Sequence, residues 1–402
     1  MKMLLLNGHG ISMRVHGSKL YIKDGRFSVE DEPLEYVFAP KRMEFDSIII
    51  YGQDGNISID AIRWLIKHNV QVTILNWNGK LLTTMLPAES VQVKTKFAQY
   101  EAYKDEKLRI SIARKIIQAK VERSKTLLEW LKTRYPEIEY DFSSEEERLK
   151  DATTIAEIIR AEARVAGQYW KQVISIIPDK YEFITRQYAD TPFGAGDVVN
   201  CMLNYGYALL EAECLKAIHA AGLDPHVGFL HEMKMGKSSL AYDLQEPFRF
   251  LIDLAIISII EKGLMDKKDF IRTENYNLRL RPSGAKKVVN EINIGINKKI
   301  NYQSMQYSWH YVLMTKTREL AHFLADKKSS IHFNTPKIEL NRVDTEELRK
   351  KIIDISYSKW KKLGFSKGTL HHMKHNASSD KPFKIYKDVQ KRLEEHENLS
   401  VV

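Results

Sequence analysis

Two cysteines in 402 residues, Cys201 and Cys214, are too few for a disulfide framework or a cysteine-rich zinc centre. They lie thirteen positions apart in an apolar stretch of helical period, so buried reduced thiols are expected, which suits a reducing cytosol. Long apolar runs are also missing. The greasiest segment, residues 248–260, is broken by Arg249 and Asp253, which excludes an ordinary membrane span. Leu4-Leu-Leu6 is too short for an export core, so the chain is read as soluble and cytoplasmic, with no membrane partner. No internal repeat or low-complexity tract interrupts it. Acidic residues are in deficit, 52 against 62 Lys and Arg, and a net charge of +10 suits a polyanionic partner.

The pattern that remains predicts an α+β multidomain protein. Residues 1–88 read as short strands at Lys2–Leu6, Ile11–Val15, Leu20–Lys23, Tyr36–Ala39, Ser47–Tyr51, Val70–Leu75 and Leu81–Met85. Turn dipeptides such as Asp24-Gly25, Asp54-Gly55 and Asn78-Gly79 separate them, and one covering helix runs from Ser58 to His68. After Pro87 the period becomes helical, with a boundary near 87–95. Residues 89–335 are expected to form an all-α catalytic body with helices at about 152–177, 195–221 and 245–262. Residues 340–402 form a third region, which carries fourteen Lys/Arg against nine Asp/Glu, a charge of +5. Within it, residues 357–375 read as helix, glycine turn at Gly364, and a second helix capped by Ser366: a helix-turn-helix.

Chemistry is suggested by an acid in the wrong place. Ile155, Ile158, Ile159, Ala166, Tyr169, Val173 and Ile176 recur at three- and four-residue steps, and Glu162 falls on their face. Burying an unpaired charge costs several kcal/mol, so Glu162 needs a partner or a metal. Downstream, Gly228-Phe-Leu-His231 and Asp243-Leu-Gln-Glu246-Pro-Phe-Arg249 supply an imidazole and two carboxylates. Glu162, His231 and Glu246 make an O/N/O set suited to Mn²⁺ or Mg²⁺, and the expected use is phosphodiester chemistry. Asp243 and Glu246 are three apart. Glu246 is favoured as the ligand and Asp243 as its support, with the exchange of these roles left open.

At these residues the chain resembles the integrases of CRISPR spacer acquisition, the "Cas one" family, together with their transposon-borne relatives, the casposases. Glu162 with Tyr169-Trp170, Asn204-Tyr-Gly-Tyr-Ala-Leu-Leu210, Ala221-Gly-Leu-Asp-Pro225, the His231 segment and the Asp243 to Arg249 segment follow the family's motifs in order. One departure is Gly167, where the family often has arginine; this chain carries Arg164 instead. The resemblance implies a metal-dependent integrase that joins 3′-hydroxyl DNA ends to a target by transesterification, with endonuclease capability. It also implies catalytic Glu162, His231, Glu246 and Asp243, a homodimer, and a dimer of dimers on DNA. The helix-turn-helix tail points to the casposase branch, with double-stranded transposon-end repeats and target DNA as partners. A CRISPR adaptation integrase and a non-catalytic DNA-binding regulator are the alternatives.

Candidate DNA contacts are Lys234, Lys237 and Arg249 beside the proposed centre, Arg186 before the Asn204 helix, and the basic run at Arg279 and Arg281. Tyr205 is read either as a DNA contact or as packing around Gly206. In the tail, Lys367, Thr369, His371, His372 and Lys374 lie on the recognition helix.

Overall fold

The structure is a computed structural model that describes residues 2–26, 32–52, 54–76, 79–86, 93–187, 195–272, 278–336 and 346–378. By contact it divides into two compact units, residues 1–337 and 338–402. The expected boundary near 87–95 falls largely on residues outside the described ones.

The first unit opens with eight strands: β1 Met3–Gly8, β2 Ile11–His16, β3 Lys19–Lys23, β4 Glu35–Phe38, β5 Ser47–Gly52, β6 Gly55–Ile57, β7 Gln71–Leu75 and β8 Leu81–Met85. One sheet has the order β1-β5-β7-β8, parallel through its first three strands, and the other the order β4-β3-β2-β6. β1 and β5 read as nearly continuous apolar runs because both faces are covered. Helix α1, Ile59–Lys67, starts where the Ser58 side chain accepts the Ala61 N–H, and it buries Ala61, Trp64 and Leu65. Leu6, Met13, Leu20, Ile22, Ile48 and Val72 complete one shared core.

The helical body follows with α2 Val93–Lys104, α3 Glu106–Lys132, α4 Ser143–Asp151, α5 Ile155–Ile176, α6 Val198–Ala221, α7 Ser239–Gln245 and α8 Phe250–Glu261. It continues through the hairpin of β9 Phe270–Arg272 and β10 Leu278–Leu280, then α9 Pro282–Asn297. A second hairpin of β11 Lys299–Tyr302 and β12 Met305–Ser308 leads to α10 Trp309–Leu324. The helical period that follows Pro87 is split at Asp105, whose side chain caps α3. Polar contacts join the strands to this body. Asn293 exchanges hydrogen bonds with the Met3 backbone at 3.2 Å each, Gln71 donates to the Ala212 carbonyl at 3.0 Å, and Tyr51 donates to the Leu280 carbonyl at 3.2 Å.

In the second unit α11 Glu346–Asp354, α12 Tyr357–Lys362 and α13 Lys367–Ala377 enclose a small core of Ile352, Trp360, Leu363, Leu370, Met373 and Ala377. Gly364 turns the chain between α12 and α13 at a φ of 82°, and the Trp360 indole donates to the Ser366 carbonyl at 3.0 Å. This is the two-helix turn expected from the sequence.

Candidate active site

Helix α5 is fixed at its start by a reciprocal capping box between Thr154 and Glu157. Its buried stripe is Ile158, Ala161, Val165, Tyr169 and Val173, while Ile159 is 45% exposed. The expected stripe is therefore displaced, and Glu162 lies on its flank, next to Ala161, rather than at its centre. There it borders a cavity of about 530 Å³ that is also lined by His231, Glu246, Lys120, Lys234, Lys237, Arg249 and Arg186.

The His231 segment is built before any ligand arrives. Gln99 of α2 donates to the carbonyls of Asp224 and Val227 at 2.9 and 2.7 Å, and Arg109 of α3 donates to the Phe229 carbonyl at 3.0 Å. Asp243, fully buried on α7, closes the segment from the other side. Its Oδ2 accepts the backbone N–H groups of Phe229 and Leu230, and its Oδ1 accepts the backbone N–H and Nδ1–H of His231 at 3.0 and 2.8 Å. A Cβ on Gly228 would stand 2.8 Å from Asp243 Oδ2, so glycine alone lets the strand of amides approach this carboxylate. Both oxygens of Asp243 are thus used. Its role is to fix the ring of His231 with Nε2 as the remaining nitrogen, the arrangement typical of a supported metal ligand.

Glu246 begins a 3-10 turn, Glu246–Phe248, that links α7 to α8. Pro247 lies in the first turn of this segment; its missing N–H interrupts the ladder, and the chain tightens for one turn before α8 resumes. Glu246 and Glu162 both pair with Lys120 of α3, whose ammonium lies 2.6 Å from Glu246 Oε2. That second contact is an ion pair by distance without the alignment of a hydrogen bond. Burial opposes the charge on Lys120, but Glu246 and Glu162 outweigh it and hold the ammonium above its usual pKa. Burial likewise opposes ionisation of Glu246, yet Lys120, Arg249 and His231 hold its carboxyl well below the usual range. For His231, desolvation is outweighed by Asp243 and Glu246, which raise its pKa.

Sequence periodicity missed Lys120, although a signal was present: it stands four residues after Ile116 and three after Ile117 on a helix otherwise buried along that side. A second group was also missed. Asp253 of α8, buried, accepts hydrogen bonds from Tyr169 at 2.8 Å and from Tyr207, and the Arg249 guanidinium lies 4.1 Å above the Tyr207 ring. Burial raises the Asp253 pKa against the pull of both phenols.

Of the proposed DNA contacts, Lys234, Lys237, Arg249 and Arg186 reach the cavity. Arg186 donates to Asn200 at 2.8 Å. Tyr205 does not reach it. Residues 205 and 207 point about 200° apart on a helix, so only one can face the cavity. That one is Tyr207; Tyr205 is 1% exposed and packs edge-on against Tyr51. A DNA contact from Tyr205 is therefore replaced by the packing reading. Around Gly206 α6 meets α8, where a Cβ would lie 2.5 Å from Ile252. Arg279 and Arg281 are not among the cavity-lining residues. Arg164 pairs with Glu145 at 3.4 Å. On α13, Lys367, His371 and His372 are exposed, Lys374 donates to the Ile353 carbonyl at 2.6 Å, and the Thr369 side chain lies outside the described residues.

Residues 7–293 match the family described as CRISPR associated protein Cas1. The chain belongs to the Cas1 family. A CRISPR-associated endonuclease Cas1 of Archaeoglobus fulgidus is 30% identical over 71% of this chain and 88% of its own length. A solved structure described as a casposase bound to integration product is 57% identical, with a TM-score of 0.84 over 89% of this chain and all of the other. A Cas1 protein from Thermotoga maritima shares the fold at 17% identity, with a TM-score of 0.68 over 81% of this chain and 98% of its own. The α+β Cas1 fold is thereby established for this chain.

Among the described residues no three His, Cys, Asp or Glu side chains close around one point, and no helix is long and apolar enough to cross a membrane. The donor set nevertheless fits a hard cation. Two carboxylates converge on a single ammonium, and a supported imidazole borders the same cavity.

Proposed function

We propose that this Cas1-family protein is a DNA integrase of the casposase type, joining 3′-hydroxyl DNA ends to target DNA by transesterification, with hydrolysis as the side activity of the same centre. The observation that carries the proposal is that Glu162, Glu246 and His231 line one basic cavity, with both carboxylates paired to the Lys120 ammonium. The 57% identity to a casposase bound to integration product supplies the substrate class.

Glu162, His231 through Nε2, and Glu246 are the residues that would hold Mn²⁺ or Mg²⁺. Bound there, a divalent ion supplies Lewis acidity to a phosphoryl oxygen and acidifies the attacking hydroxyl. The chain's own part is positioning. Asp243 keeps the His231 ring oriented, so little reorganisation is needed when the phosphate arrives. Arg249, steadied by the Tyr207 ring and by Glu246 at 3.6 Å, presents a cation to the charge that builds on phosphorus. Lys234 and Lys237 line the same rim and engage the DNA backbone.

The tail reads transposon-end DNA through Lys367, Thr369, His371 and His372 of α13, while Arg279 and Arg281 contact backbone away from the cavity. Assembly as a homodimer, and as two dimers on DNA, belongs to the same proposal, because inserting both ends of an element needs two centres.

The test is strand transfer of a 5′-labelled oligonucleotide that bears terminal inverted repeats and a free 3′-hydroxyl into plasmid DNA, with Mn²⁺ and no other protein. Labelled plasmid formed by the wild type and lost in Glu162→Gln supports the reading. A strict need for a second subunit and a CRISPR repeat substrate would move the protein to spacer acquisition.

A further inference from the structure

The ammonium of Lys120 stands where two carboxylates proposed as metal ligands meet. We propose that Lys120 holds the cation position of the centre until a divalent ion takes it, so that loading is an exchange in which the ammonium withdraws into the cavity. The inference rests on the reading of Glu162, His231 and Glu246 as the ligand set.

Two carboxylates that share one counter-charge repel each other when it is withdrawn, so the position between them calls for a cation. Glu246 is 7% exposed at its side chain and Glu162 21%, and the pair's shared counter-charge comes from α3, 42 and 126 positions away in sequence. Arg249 lies 3.6 Å from Glu246 Oε1. An ion bound to oxygens of both carboxylates would lie against the Lys120 charge, and like charges at such separation repel strongly at low dielectric. One of the two cations has to leave. Lysine suits that role because its charge sits on a flexible four-carbon stem, and the adjoining cavity of about 530 Å³ gives the stem room to turn. Lys120 is thus a positioning residue: it keeps Glu162 and Glu246 at a shared point and sets how tightly that point takes a divalent ion.

A purely structural ion pair predicts the opposite response, since removing it would let the carboxylates drift and weaken metal binding. Full-length wild type, Lys120→Met and Lys120→Gln are titrated with Mn²⁺ in the absence of DNA, following the free-ion signal by electron paramagnetic resonance. Exchange predicts Kd at least about tenfold lower in both variants, equivalent to about 1.4 kcal/mol, while Lys120→Arg, which keeps the charge, shows no tightening. Equal or weaker binding in folded Met and Gln variants overturns the proposal. Glu162→Gln separates this from failure of the ligand set itself: if that variant binds Mn²⁺ as the wild type does, the centre has been placed wrongly. A measurement on the wild type alone avoids any folding defect. Saturating Mn²⁺ is expected to speed covalent labelling of the Lys120 amine by an acylating reagent, read by peptide mass spectrometry, and an unchanged rate overturns the exchange.

Discussion

Replacing Asp243 by alanine removes the one acceptor for three backbone N–H groups and an imidazole. The site is fully buried and flanked by Gly228, whose close approach leaves no room for a compensating side chain. Counting about 1–1.5 kcal/mol for each stranded backbone donor, the loss is about 3–5 kcal/mol, a large share of the stability of a typical domain. For a unit of this size about 2 °C accompanies each kcal/mol, so Tm is expected to fall by about 6–10 °C in a thermal melt followed by circular dichroism. Activity should fall as well, by about 10–100-fold, because His231 loses the group that orients its ring. Glu246→Gln makes the contrast. It alters a carboxylate whose partners are Lys120 and Arg249 and not the amides of the His231 segment, so strand transfer should disappear while the hydrogen-exchange protection of those amides, lost in Asp243→Ala, is kept. An Asp243→Ala protein that melts like wild type would refute the assignment of Asp243 as the organiser of the His231 segment. It would reopen the possibility that Asp243, not Glu246, is the ligand.

Other outcomes are equally specific. Tyr207→Phe withdraws one hydrogen bond from buried Asp253 and should cost about 1–3 kcal/mol in urea denaturation, whereas Tyr205→Phe, whose hydroxyl has no hydrogen-bond partner among the described residues, should cost little. Trp360→Ala empties the small core of the second unit, at about 3–5 kcal/mol, and should abolish preference for terminal-repeat DNA in competition binding while leaving non-specific strand transfer measurable. Asp269 is held below the usual carboxylate range: burial opposes its charge, but hydrogen bonds from Lys287, Ser283 and the Asp266 backbone outweigh it. A depressed folded-state pKa stabilises above the unfolded value and is lost below it. Asp269→Asn should therefore be less stable than wild type by a constant gap from pH 7 to 5, narrowing below about pH 4, in urea melts at each pH.

Much of the fold was legible because the signals are local. Seven strands and α1 follow from alternation, turn dipeptides and the Ser58 cap, and the Gly364 turn of the tail follows from a single residue that tolerates positive φ. β6 was missed since three residues carry too little pattern, and its pairing with β2 is supplied by the neighbouring strand. Within the site, Glu162, His231, Glu246, Lys234, Lys237, Arg249 and Arg186 were named from sequence and lie around one cavity, with Asp243 buried behind His231. The division of labour between Asp243 and Glu246 was not legible. It depends on backbone N–H groups that a side-chain pattern does not display, and only the four donors around Asp243 decide it. Tyr205 and Tyr207 could not be told apart by residue type, because which side of α6 faces the cavity is set by packing against α8 and the β-rich region. Lys120 was overlooked for the same reason: its partners come from two other elements.

The central claim is that His231 and the two glutamates hold one divalent ion. Pulsed electron paramagnetic resonance of a single bound Mn²⁺ tests it directly, since an imidazole ligand imprints a nitrogen modulation on the echo. The account predicts that modulation in the wild type, its loss in His231→Ala, and loss of binding in Glu162→Gln and Glu246→Gln. Bound Mn²⁺ with no nitrogen coupling, or with coupling that survives His231→Ala, would contradict it.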